Sequence, residues 1–85
     1  MNNELRITKL RHRILTEVRG FNEGGKYPSI NKVIHQDRHF LPARTKAGRY
    51  GTVHAMLDAG YLCNREGESV YNLEVTAKGL RALGV

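Results

Sequence analysis

The apolar side chains of this sequence change period at Gly60. Before it, Tyr50, Val53, Met56 and Leu57 recur at steps of three and four, the spacing of one helix face packed on a core. After it, Tyr71, Leu73 and Val75 alternate with Asn72 and Glu74, the spacing of a strand with one buried face. Glycine readily ends a helix, and Thr76 is placed to cap another. A helix, a hairpin and a second helix joined this closely have to share one core. The order also requires helices upstream to cover it.

The upstream sequence supplies them. Residues 4–19 carry Ile7, Leu10, Ile14, Leu15 and Val18 on one helical face, and Gly20 is a natural stop. Gly24, Gly25 and Pro28 make the next stretch a loop. Ser29 caps a short helix over 30–37, with Ile30, Val33 and Ile34 facing inward. "RHFLP" reads as a turn. The third helix starts at Pro42 or at a Thr45 cap and runs to about Ala59, with Tyr50, Val53, Met56 and Leu57 on its buried side. Gly48 and Gly51 weaken it by up to about 1 kcal/mol each relative to Ala, unless they let its backbone approach something closely. Strands over 61–65 and 70–75 flank the turn "EGES". In the last helix Leu80 and Leu83 are spaced for core contact. The expected fold is α+β, in the order helix-helix-helix-strand-strand-helix, as a single domain over residues 1–85.

Composition restricts the function. Hydrophobic residues are 40% and charged residues 26%, a globular balance rather than a disordered one. No apolar run approaches the length of a membrane span, and Met-Asn-Asn-Glu-Leu-Arg has no apolar secretion signal. The single cysteine, Cys63, excludes an internal disulfide and fits a cytoplasmic setting. The net charge of +6 is unevenly placed. Met1 to Arg49 holds eleven Lys/Arg against four Asp/Glu, a net +7; Tyr50 to Val85 holds three against four, a net −1. A basic front half points to a polyanionic partner.

With these elements in order, the chain resembles the winged helix-turn-helix family, small regulators of the kind typified by the MarR and PadR groups. The likeness is carried by "TVHAMLDAGYL" (52–62) and "VYNLEVTAKGLRAL" (70–83), and it extends over about residues 29–83. Met56, Gly60, Tyr61 and Leu62 match the end of the family's recognition helix. Tyr71, Leu73, Thr76 and Gly79 match the strand and helix after its wing, with one extra residue between Leu73 and Thr76. The resemblance implies a helix-turn-helix at about 29–59 and a wing at about 61–75. The implied function is sequence-specific binding of double-stranded DNA by a small transcriptional regulator. On this reading the protein is nucleoid-associated when bound, and a homodimer reading two half-sites is compatible with it.

A helix in the major groove reads bases from its N-terminal half. Arg44, Thr45, Lys46, Arg49 and Thr52 are the outward polar residues there. Tyr27, Ser29, Asn31 and Lys32 are placed for phosphate contact ahead of and along the second helix. Arg65 is the wing residue suited to the minor groove or to phosphate, although Glu66 and Glu68 make the wing tip acidic. Two alternatives remain: a winged-helix adaptor for protein or RNA, and an excisionase-like architectural protein.

Other chemistry fits less well. Gly20, Gly25 and Lys26 have phosphate-loop spacing, but Tyr27 stands where a magnesium-holding Ser or Thr is required and Pro28 follows. His35 and His39 are four apart, without the further ligands a structural metal site needs. Cys63 reads as a buried structural thiol. No nucleophile–base pair or carboxylate pair stands out. The expectation is a non-enzyme with no cofactor, no metal and no small-molecule substrate.

Overall fold

The computed structural model describes residues 5–35, 46–65 and 72–84, without the side chains of His35, Lys46, Ala47 and Arg49. The expected "RHFLP" turn, the Pro42 and Thr45 starts of the third helix, the Glu66 and Glu68 wing tip, and Tyr71 lie outside the described residues. The described chain is a small compact α+β domain of four helices and a two-stranded antiparallel sheet: α1 (Lys9–Glu23), α2 (Ile30–His35), α3 (Lys46–Asp58), β1 (Leu62–Asn64), β2 (Leu73–Val75) and α4 (Ala77–Ala82).

Helix α1 begins later and ends later than its apolar spacing predicts. Thr8 is its N-cap, its hydroxyl accepting from the Arg11 N–H at 3.2 Å. Residues ahead of Thr8 run instead to the far side of the core, where the Leu5 N–H donates to the Tyr61 hydroxyl. Gly20 does not stop the helix. The stop is Gly25, whose φ of 77° lies in the left-handed region. There the Lys26 N–H reaches the Phe21 carbonyl and the Gly25 N–H the Asn22 carbonyl, satisfying carbonyls that a helix end otherwise leaves open. Gly60 ends α3 by the same device: its φ is 86°, and the Tyr61 N–H reaches the Met56 carbonyl.

The core is one cluster. Ile14, Leu15 and Val18 of α1 meet Val33 and Ile34 of α2, Val53 and Met56 of α3, and Leu62 and Leu73 of the sheet, all fully buried. Leu80 and Leu83 pack against its margin. Tyr50 departs from the expectation: it is 41% exposed. Its spacing puts it in phase with Val53, but the phase does not say where the partner surface ends. Its ring instead meets His54 edge-on, with centroids 4.8 Å apart.

In the hairpin Leu62 pairs with Val75, Cys63 with Glu74, and Asn64 with Leu73. Leu62, Leu73 and Val75 face the core, which leaves Cys63 exposed rather than buried. The outer edge of β2 is occupied. The Leu73 N–H donates to the Pro28 carbonyl at 2.8 Å. The Asn22 amide donates to the Leu73 carbonyl at 3.1 Å and accepts from the Val75 N–H at 2.9 Å. This side chain exists at that edge because α1 continues past Gly20. Thr76 then caps α4, accepting from the Gly79 N–H and donating to the Gly60 carbonyl. Gly79 is buried, and a Cβ there would collide with the Tyr61 carbonyl and lie 2.7 Å from Val75 Cγ1.

Candidate nucleic-acid interface

The end of α1, the loop to α2 and the root of the hairpin converge on one surface. Phe21, Lys26, Tyr27, Pro28, Ser29 and Lys32 line a groove of about 210 Å³. Pro28 is buried and, through its carbonyl, tied to β2, so it fixes the loop from beneath. Tyr27 and Ser29 on either side of it are half-buried. The Lys32 ammonium lies 5.7 Å from the Phe21 ring centroid. The Arg65 guanidinium lies 4.1 Å from that of Tyr27. Two cations thus sit against two aromatic faces, where the ring quadrupole favours them without neutralising them.

Four residues expected to contact DNA, namely Tyr27, Ser29, Lys32 and Arg65, are brought together here from two distant stretches of sequence. Asn31 is exposed beside them. Ser29 has a second duty: its Oγ accepts from the Lys32 N–H at 3.2 Å and caps α2. Arg65 is held at the hairpin root. Its N–H donates to the Asn72 carbonyl at 2.7 Å, and the Asn72 N–H donates to Asn64 Oδ1 at 2.7 Å. Lys26 and Phe21 were not singled out by the sequence for this role. The signal for Lys26 was its place beside Tyr27 in a loop already short of acids.

The charge of this surface differs from that of α1. There Arg13 pairs with Glu17 at 3.6 Å and Arg19 with Glu23 at 3.2 Å. Lys26, Lys32 and Arg65 have no carboxylate partner among the described residues.

Helix α3 is described more sparsely. Arg44 and Thr45 lie outside the described residues. Lys46 and Arg49 belong to the helix by their backbone, and their side chains are likewise not described. Thr52 is half-buried and its hydroxyl donates to the Gly48 carbonyl at 2.9 Å. Gly48, Tyr50 and Gly51 are exposed. A Cβ added to Gly51 would meet nothing within 4 Å, so its missing side chain serves no packing within the described residues.

The remaining reactive side chains are dispersed. Partial burial, and secondarily the Glu74 carboxylate across the ladder, raise the Cys63 thiol above its ordinary pKa, which disfavours the nucleophilic thiolate. No group of three His, Cys, Asp or Glu among the described residues is placed to hold a metal ion, and His39 lies outside them. No described helix is long and apolar enough to cross a membrane. No family model matches the sequence, and no curated protein or solved structure matches it.

Proposed function

We propose that this chain is a winged helix-turn-helix protein that binds double-stranded DNA in a sequence-specific way, as a small transcriptional regulator. The observation that carries the reading is the cation–aromatic groove, lined by exposed Lys26 and Lys32 with Phe21 and Tyr27, with exposed Arg65 beside it over the Tyr27 ring. The bond from Leu73 to Pro28 supports the wing: the α1–α2 segment lies along β2 where a third strand of a winged sheet would run.

In this arrangement α3 enters the major groove. Arg44, Lys46 and Arg49 supply bidentate or phosphate contacts, and Thr45 and Thr52 lie among them. Ser29, Asn31 and Lys32 meet the phosphate backbone and set the register of the helix. Arg65 reaches the flanking minor groove or its phosphates. Association releases counterions, so affinity falls steeply with salt.

Replacing Arg44, Lys46 and Arg49 together with alanine abolishes specific duplex binding on this reading. Undiminished binding of that variant in a mobility-shift assay contradicts it. The adaptor alternative draws on the net −1 charge from Tyr50 onward. Selection from random duplex DNA separates the two: an enriched motif supports the regulator, and salt-sensitive binding without a motif supports an adaptor or an architectural protein. In the latter case, a shift dependent on the position of the site within the fragment identifies bending.

A further inference from the structure

We infer that Tyr27 is a positioning residue: its ring holds the Arg65 guanidinium in place for DNA, and its hydroxyl is not the group that matters. The inference rests on the DNA-binding reading above and deepens it. Arginine has many rotamers, and a solvated arginine at a hairpin loses most of that freedom when it docks on a phosphate or in a minor groove. Here both ends of the residue are already fixed. Its backbone N–H is held by the Asn72 carbonyl, within a closure that Asn64 Oδ1 completes. Its guanidinium carbon lies over the Tyr27 ring, 4.1 Å from the ring centroid. That ring is itself fixed, because Tyr27 is half-buried and precedes Pro28, whose carbonyl is bonded to β2.

A ring face attracts the guanidinium through its charge and does not use its N–H donors, so those remain for a phosphate or base edge. Arg65 is exposed and has no carboxylate partner among the described residues. The Tyr27 hydroxyl has no hydrogen-bond partner among the described residues. The stack also joins the hairpin root to the loop ahead of α2. A cation on the wing is thereby held in register with Ser29 and Lys32 on the helix-turn-helix side.

The test uses the whole chain, with Tyr27→Phe, Tyr27→Ala, Arg65→Ala and the Tyr27→Ala/Arg65→Ala pair, each checked for folding by circular dichroism. Two readouts are needed. The first is the proton shift of the Arg65 side-chain methylenes without DNA. It is displaced upfield by the ring in the wild type and in Tyr27→Phe, and returns to the ordinary value in Tyr27→Ala. The second is affinity for a fluorescein-labelled random-sequence duplex at moderate salt. Tyr27→Ala weakens binding roughly three- to tenfold, the worth of a cation–aromatic contact. Tyr27→Phe restores it, and the double variant is no weaker than Arg65→Ala alone. Ordinary Arg65 shifts in the wild type overturn the inference whatever the DNA result. Equal loss in Tyr27→Phe and Tyr27→Ala overturns it in favour of a direct hydroxyl contact. A wild type that binds no duplex overturns the DNA reading and the role together, while the shifts still decide the stack.

Discussion

At Gly79 the constraint is the Tyr61 carbonyl, which leaves no room for a methyl group. Gly79→Ala therefore forces α4 off the hairpin and destabilises the fold by about 1–3 kcal/mol, read as a lower midpoint in thermal or urea unfolding. The sequence showed a glycine early in a short helix but not what it touches, because the contact joins residues eighteen positions apart. Cys63 gives a second residue-level prediction. It is exposed, so a thiol reagent modifies it in the native protein. Its raised pKa means less thiolate near neutrality than in a free thiol, so the reaction is slower and accelerates on going to more alkaline pH. Glu74→Gln removes the charge that opposes ionisation and speeds the reaction at fixed pH. No change on that substitution contradicts the coupling. Cys63 and Tyr50 were both misplaced by reading apolar character as burial; the strand register decides the first, and the limit of the core surface decides the second.

At the scale of elements, the continuation of α1 past Gly20 matters most. A Cβ on Gly20 meets nothing within 4 Å, so Gly20→Ala stabilises the helix by up to about 1 kcal/mol, as a rise in the unfolding midpoint. Asn22→Ala acts in the opposite sense. It leaves the Leu73 carbonyl and the Val75 N–H without the partner that covers the β2 edge, at about 1–3 kcal/mol for each group that water does not reach. Hydrogen exchange at Val75 accelerates accordingly. The identities of α1, α2, the hairpin and α4 were legible, because apolar period, Ser29 and Thr76 as caps, and Gly60 as a stop act locally. Where α1 ends was not, because two glycines compete. The one that wins, Gly25, is the one whose left-handed turn brings Asn22 to the sheet. Neither Asn22 nor Pro28 announces its pairing with β2, since both bonds are tertiary.

At the scale of the whole molecule, the basic front half resolves into two kinds of charge. On α1 arginines are partly neutralised by glutamates one turn away, whereas around Tyr27 the cations keep no such partners among the described residues. The sequence showed the imbalance but not this division, because Lys26, Lys32 and Arg65 meet only once the hairpin folds back on the α1–α2 loop. Gly51 offers a separate check on the proposed approach of α3 to DNA. Gly51→Ala fits the free protein and raises its stability, yet weakens duplex binding if the helix backbone lies close to DNA. Unaltered binding would remove Gly51 from the interface. The most direct test of the central claim is selection from random duplex DNA, followed by titration of the enriched duplex at several salt concentrations with the wild type and the Arg44/Lys46/Arg49 triple-alanine variant. The predicted result is an enriched motif, bound with an affinity that falls steeply with salt and lost in the variant. Binding without a motif, or binding that the variant retains, would contradict it.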